Sequence, residues 1–111
     1  MREIDWNKKE NRQLIDGMLS LKNTDEAKRF LRDIMTEKEI REFGLRLEAA
    51  ILLAKKVHYS AIIEKTGLSS TTIARISKWL KGPLGGYRLI LHRLYPSIAL
   101  SLKNTHHSNF I

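Results

Sequence analysis

The sequence contains no cysteine, only two prolines and no long hydrophobic run. Without cysteine the chain forms neither disulfides nor thiolate metal sites, and this composition suits the reducing cytoplasm, where we expect the protein to act. The N-terminal stretch MREIDWNKKEN is charged and lacks the apolar core of a signal peptide. The longest apolar stretch, AAILLA at residues 49–54, is far shorter than the roughly 20 residues of a membrane-spanning helix.

Acidic side chains are almost absent from the second part of the chain. Residues 1–48 contain 11 basic and 11 acidic side chains, whereas residues 49–111 contain 9 lysines and arginines and a single acid, Glu64. The entire net charge of +8 therefore belongs to the second part. A one-sided basic field attracts polyanions such as nucleic acid, although a basic surface also serves solubility alone.

The scarcity of proline and the lack of period-two alternation predict an all-α domain over residues 1–96. Apolar spacing predicts a first helix over about residues 5–21, a second that begins with Thr24 as its capping hydroxyl, and a third over about residues 37–56. Thr36 and Glu39 match a capping box at the start of the third helix. Residues 97–111 form a C-terminal tail that we expect to be disordered from about Lys103. The expected buried stripe of the second helix is Ala27, Phe30, Leu31 and Ile34.

Apolar residues of the third helix nearly encircle it beyond Leu45 instead of forming one stripe. Such a helix must be covered on more than one side. A second copy of the chain would supply the extra cover, and the remainder of the same chain is the alternative source. We expect a homodimer.

Residues 60–80 have the pattern of a helix-turn-helix, with short helices over about residues 60–66 and 70–80. Gly67 supplies the positive φ of the turn, Leu68 fills the space between the helices, and Ser69 caps the second helix. The isoleucines are spaced to lie between the two helices. They are Ile62, Ile63, Ile73 and Ile76.

The side chains left outward on the second of these helices are short, hydroxylic or basic. Such a helix enters the DNA major groove with its N-terminal residues toward the bases, where serine and threonine donate or accept hydrogen bonds. Lysines suit the flanking phosphates. The alternative interpretation is a capped, solvated helix start without a ligand. The DNA-binding candidates are Ser60, Ser69, Ser70, Thr71, Thr72, Arg75, Lys78 and Lys81, with Arg88 as a further backbone contact.

A short final helix follows the sequence GPLGG. Gly82 and Pro83 end the helix before it, and we expect Gly82 to adopt the left-handed conformation of a C-terminal cap. The final helix is predicted over about residues 86–95, and Pro96 stops it. Its expected inward face is Tyr87, Ile90, Leu91 and Leu94.

The sequence resembles the Trp repressor superfamily, and more specifically its YerC/YecD-type TrpR-related proteins. Three stretches carry the resemblance: FLRDIMTEKEIREFGLRLEAAILL, YSAIIEKTGLSSTTIARISKWL and GGYRLILHRL. They cover roughly residues 30–94 in matching order and spacing. The resemblance implies a TrpR-like helical bundle, assembled as an intertwined homodimer that presents two helix-turn-helix units to operator DNA.

The same resemblance implies a vestigial effector pocket. In tryptophan-responsive members, an arginine of the long helix and one of the recognition helix enclose the indole, and Arg46 and Arg75 fall at these places. Thr36 corresponds to a threonine before the long helix. Where the pocket needs a glycine and a serine, this sequence has Ile76 and Trp79. We expect these two side chains to fill the cavity, so that tryptophan is not the effector; any other effector is unidentified.

The sequence thus predicts a homodimeric, sequence-specific regulator of transcription, a repressor, that binds double-stranded DNA. Two alternatives stay open: a protein-interaction module that docks through the helix-turn-helix, and a non-specific nucleic-acid-binding protein that relies on charge. An enzyme is not expected, because no nucleophile–base set, glycine-rich phosphate loop or carboxylate pair is apparent. No metal, cofactor or membrane partner is predicted. The four histidines, His58, His92, His106 and His107, lack the partners of a metal site.

Overall fold

A computed structural model of the protein describes residues 3–98. Every regular element in this range is helical, which confirms the predicted all-α class. The predicted disorder of the tail from Lys103 concerns residues outside this range. The helices are α1 (Lys9–Ser20), α2 (Thr24–Ile34), α3 (Glu37–Ala54), α4 (Tyr59–Thr66), α5 (Ser70–Lys81) and α6 (Gly86–Leu94).

The chain divides into two compact units, Met1–Ile40 and Arg41–Ile111. In the first unit, α1 begins at Lys9, four residues later than predicted. Asp5 forms a turn instead: its carboxylate accepts from the Asn7 amide at 2.9 Å, and its carbonyl accepts from the Lys8 amide at 3.2 Å. Aspartate competes for local backbone donors in this way and so favours turns over helix interiors.

The capping residue of α2 is Asn23, and the prediction of Thr24 was wrong. The Asn23 side chain accepts from the Glu26 amide at 2.9 Å, and the Glu26 carboxylate accepts in turn from the Lys22 amide at 2.9 Å. Asparagine and threonine are both good capping residues. The residue types alone therefore do not decide between two adjacent candidates, and the backbone conformation of the folded chain does.

The apolar stripe of α2 is covered only in part. Phe30 is half-buried, and its ring would lie 3.6 Å from a Cβ at Gly17 of α1. Leu31 and Ile34, predicted to be buried, are 38% and 50% exposed. A pair of helices covers only one side of each helix, so the flanks of this stripe stay open in the single chain.

The core of the second unit has two clusters of buried residues. One lies where α3, α4 and α5 meet, and the other where α3, α5 and α6 meet. Three of the four buried residues on α3 are alanines. The first cluster contains Ala49, Ala50, Leu52, Ile62, Ile73 and Ile76, and the second contains Ala54, Leu80 and Leu91.

Helix α3 ends at Ala54, two residues before the predicted end, and it closes with a Schellman motif. The Val57 amide donates to the Leu52 carbonyl at 3.0 Å, and the Lys56 amide donates to the Leu53 carbonyl at 3.0 Å. This motif needs a left-handed residue, which is usually glycine. Here Lys56 adopts it, with φ of 67°, although its side chain gave no signal of it.

Helix α6 ends at Leu94, close to the predicted end. Only Leu91 of its predicted inward face is fully buried, while Ile90 and Leu94 are 40% and 57% exposed. Pro96 does not end helical structure altogether, because residues 96–98 are helical again. Proline is well tolerated in the first turn of a helix.

Candidate nucleic-acid interface

The turn between α4 and α5 has the conformation that the sequence predicts. Gly67 is left-handed, with φ of 72° and ψ of 5°, and its amide donates to the Ile63 carbonyl at 2.8 Å. Thr66, which sequence analysis overlooked, is buried beside it. Its hydroxyl donates to the Ile62 carbonyl at 2.7 Å and accepts from the Leu68 amide at 3.2 Å. A hydroxyl residue directly before the turn glycine was the available signal.

The start of α5 is capped by Ser69, as predicted. The Thr72 amide donates to Ser69 Oγ at 3.1 Å, and Ser69 Oγ also lies 3.0 Å from Thr72 Oγ1, within hydrogen-bond distance. Thr72 is consequently half-buried rather than fully outward. Two of the four consecutive hydroxyl side chains therefore hold the helix start, and Ser70 and Thr71 remain exposed.

The inward face of α5 is formed by Ile73 and Ile76, which are 0% and 3% exposed. They pack in the cluster that contains Ile62 of α4, and the half-buried Leu68 packs against the same cluster. Ile63, predicted to be inward, is 36% exposed. Neighbouring residues on an α-helix point about 100° apart, and here Ile62 faces the cluster while Ile63 lies beyond its edge.

The outward face of α5 carries exposed side chains that bear hydroxyls or positive charge. Among residues 3–98, no carboxylate pairs with a basic side chain of α5; the ion pairs there are Arg29–Asp25 and Arg46–Glu42, on α2 and α3. Glu64 on α4 is exposed and is the sole acid of residues 49–111. Ser60 is exposed in the first turn of α4. The exposed candidates on α5 and its cap are Ser69, Ser70, Thr71, Arg75, Lys78 and Lys81.

The C-terminal end of α5 differs from the prediction. Gly82 is extended, with φ of −77° and ψ of 172°, and is not left-handed. The reason is Pro83, because a residue before proline is driven out of helical conformations toward extended ones. Arg88, which the sequence offers as a contact of the DNA backbone, donates from Nη1 to the carbonyls of Leu80 at 3.0 Å and of Gly82 at 2.9 Å.

The residues of the predicted effector pocket lie in different surroundings. Ile76 is buried in the core, Arg75 is exposed, and Trp79 is 42% exposed. Thr36 belongs to the first compact unit, and its hydroxyl accepts from the Glu39 amide at 3.1 Å in the predicted capping box. The Glu39 carboxylate completes that box by accepting from the Thr36 amide at 2.9 Å.

Arg46 of α3 has an incomplete set of partners. Its guanidinium carbon lies 5.5 Å from the centre of the Phe43 ring, and Nη2 lies 3.9 Å from a Glu42 carboxylate oxygen. Its Nε is buried and has no hydrogen-bond partner within residues 3–98. Burial raises the pKa of Tyr87 above 10.0, while the positive charge of Arg46 acts in the opposite direction.

A left-handed glycine between two short helices, a capped second helix and an outward basic face define a helix-turn-helix protein. The family model of the Trp repressor protein matches residues 9–95. The chain belongs to the Trp repressor family and is a TrpR-related protein of the YerC type. This is a family of regulatory DNA-binding proteins and not of enzymes.

Two relatives support this assignment. The chain is 37% identical over 86 residues to the uncharacterized protein YerC of Bacillus subtilis (strain 168), covering 78% of this chain and 83% of that one. The crystal structure of a TrpR-like protein from Eubacterium eligens ATCC 27750 matches with a TM-score of 0.74 and 38% identity. That match covers 80% of this chain and 92% of the other.

Between residues 3 and 98, no helix combines the length and hydropathy needed to cross a bilayer. The same part of the chain brings together no group of three or more histidine, aspartate or glutamate side chains suited to a metal ion.

Proposed function

We propose that the protein is a homodimeric repressor of transcription that recognises specific sequences in double-stranded DNA, in the cytoplasm. The outward face of α5 is the observation that carries this proposal. Its exposed Arg75 and Lys78 have no carboxylate partner in the described chain, and Ser70 and Thr71 are exposed at the helix start. Phosphates would neutralise the cations, while hydroxyls and the arginine fork would read base edges.

Individual roles follow from position along α5. Ser70 and Thr71 lie in the first turn, which enters the major groove in helix-turn-helix complexes. Arg75 lies one turn further and suits bidentate contact with guanine. Lys78 and Lys81, toward the other end, suit the phosphates that flank the groove. Ser60, in the first turn of α4, is proposed as an additional contact.

A homodimer is supported by the apolar side chains that the single chain leaves exposed. Monomeric proteins rarely expose large apolar surfaces unless these are used in binding. Two copies would place their recognition helices about 34 Å apart, one turn of DNA, and would read a pseudo-palindromic site. The exposed apolar side chains of the first unit include Ile4, Trp6, Leu14, Ile15, Met18, Leu19, Leu31 and Ile34.

Selection of bound sequences from a random duplex pool tests the proposal. A pseudo-palindromic consensus with half-sites about 10 base pairs apart is expected from a dimer. A pool that shows no enrichment, together with equal retention of all duplexes, would support charge-driven binding instead. Retention of no duplex at low salt would leave the interaction module as the surviving alternative.

Two variants of α5 separate base reading from phosphate binding. Arg75→Ala should weaken binding to the selected duplex by about 1–3 kcal/mol and should weaken binding to random duplexes much less. Arg75→Lys keeps the charge but loses the guanidinium fork, so it should also lose selectivity. Lys81→Ala should weaken binding to all duplexes alike. Because a dimer carries two copies of Lys81, the slope of log K against log salt should fall by about 1.8. Indistinguishable effects of Arg75→Ala and Lys81→Ala would contradict these roles.

Free tryptophan is proposed not to be the effector, because Ile76 and Trp79 stand where the tryptophan pocket of the family requires small residues. Calorimetric titration should show no micromolar binding of L-tryptophan, with or without the selected duplex. Micromolar binding would contradict the proposal. Ile76→Ala tests whether the Ile76 side chain fills space in the core. Truncation of a buried isoleucine there should cost about 2–5 kcal/mol of stability.

A further inference from the structure

Arg88 of α6 binds the C-terminal end of the recognition helix α5. Its Nη1 donates to the Leu80 carbonyl at 3.0 Å and to the Gly82 carbonyl at 2.9 Å, and the side chain is half-buried. Carbonyls at the end of a helix lack partners within the helix and carry its negative partial charge. A guanidinium at this place satisfies two of them with charge-assisted hydrogen bonds.

Gly85 provides the space for this contact. It is left-handed, with φ of 69°, and a Cβ at this position would lie 2.9 Å from Nη2 of Arg88 and 3.5 Å from its Cζ. A side chain at residue 85 would therefore be strained in its backbone and would also displace the guanidinium. The loop GPLGG and Arg88 thus form one local arrangement between α5 and α6.

The two ends of α5 are held by different means. Ser69 and Thr72 fix the first turn within the helix itself. At the other end, the backbone is extended at Gly82, so the helix cannot continue. Arg88 supplies the link from that end to the next helix, and Lys78 and Lys81 lie in the turn that it holds.

We propose that Arg88 is a positioning residue for DNA recognition, which fixes the C-terminal turn of α5 and does not itself bind phosphate. This inference rests on the proposed function. Nη1 donates to two carbonyl oxygens of the protein. The side chain that the sequence offers as a candidate phosphate ligand therefore forms these hydrogen bonds within the protein. Loss of the link lets the last turn fray and moves the basic side chains relative to the groove.

Amide hydrogen exchange of the protein without DNA tests the link itself. Arg88→Met keeps the length of the side chain but removes its donors, and Arg93→Met is the control with the same charge loss at an exposed position of α6. We expect exchange of the amides of residues 79–82 to be at least about fivefold faster in Arg88→Met, whereas Arg93→Met leaves it unchanged. Gly85→Ala should reproduce the effect of Arg88→Met. Unchanged exchange in Arg88→Met would overturn the inference, whatever the DNA experiments show.

Affinity for the pool-selected duplex and for a random 30-base-pair duplex tests the positioning role, at a temperature where circular dichroism shows each variant folded. Arg88→Met should lose roughly tenfold in affinity for the selected duplex, about the loss from one mismatched base pair, with the wild-type salt slope retained. Arg88→Lys, which keeps a donor, should recover part of this loss and serves if the methionine variant does not fold. A salt slope lower by about 1.8, which is the loss of one phosphate contact in each subunit of the dimer, would identify Arg88 as a phosphate ligand and overturn the proposal.

Hydrogen exchange and DNA affinity test the link and the proposed function independently. If the wild-type protein selects no duplex, the proposed function fails, while hydrogen exchange still decides whether Arg88 holds α5. If exchange is faster in Arg88→Met but affinity and selectivity equal those of the wild type, Arg88 stabilises the helix end without positioning it for DNA, and the proposal is overturned.

Discussion

Ser69 and Thr72 are joined by two contacts at the start of α5: the amide of Thr72 donates to Ser69 Oγ at 3.1 Å, and the two hydroxyl oxygens lie 3.0 Å apart. The pair divides the run of four hydroxyl residues into two parts. Ser69 and Thr72 hold the backbone, whereas Ser70 and Thr71 are exposed. Stability and DNA binding should therefore respond to different members of the run.

Ser69→Ala should lower the free energy of unfolding by about 1 kcal/mol, because the capped amide of Thr72 loses its partner. Ser70→Ala, a change of the same size at an exposed position, should stay within about 0.5 kcal/mol of the wild type. Urea denaturation at one protein concentration measures both. Equal losses in the two variants would show that Ser69 is not the residue that holds the helix start.

Lys56→Gly should stabilise the protein by about 1 kcal/mol. Lys56 occupies the left-handed position of the Schellman motif with φ of 67°, a conformation that glycine adopts without the clash of a Cβ. Lys55→Gly is the matched control, since it removes the same charge from a neighbour that is not left-handed. Thermal unfolding should show a higher midpoint for Lys56→Gly only; a lower midpoint would mean that the lysine side chain contributes more than the backbone strain costs.

Gly67→Ala and Gly85→Ala should lower the free energy of unfolding by different amounts, although both glycines are left-handed. A Cβ at Gly67 meets nothing within 4 Å, so its cost is that of the backbone conformation, about 1 kcal/mol. A Cβ at Gly85 also displaces Arg88, so roughly 2 kcal/mol or more is expected. Urea denaturation compares them, and a larger loss at Gly67 would contradict the role given to the space at Gly85.

The stability of the protein should fall at high pH because of Tyr87. Burial favours its neutral phenol and raises its pKa above 10.0, with the charge of Arg46 opposing in part. The unfolded chain therefore releases this proton first, so the contribution of Tyr87 is complete below pH 10 and is lost as the pH rises through the folded pKa. Tyr87→Phe removes this loss: the stability difference between wild type and variant should change between pH 9 and pH 11, and a constant difference would refute the assignment.

Contacts between residues close in sequence could be predicted without coordinates. Gly67, Ser69 and the box of Thr36 and Glu39 each depend on partners within four positions, so the residue types and their spacing contain the necessary information. The cap of α2 was missed because Asn23 and Thr24 are adjacent and both are suitable capping residues. The helix-turn-helix and the charged side chains of its second helix could be predicted from the same kind of local spacing.

Residue types and their spacing were enough to predict the all-α class, the turn at Gly67, the cap of α5 and the excess of positive charge in the second part of the chain. The folded chain was needed to show that Ile63 is exposed, that Lys56 is left-handed and that Arg88 binds the end of α5. Helical periodicity defines the faces of a helix, but it does not say which neighbour covers each face. Likewise, an arginine has the same charge whether its donors meet a phosphate or the carbonyls of a helix eight residues away.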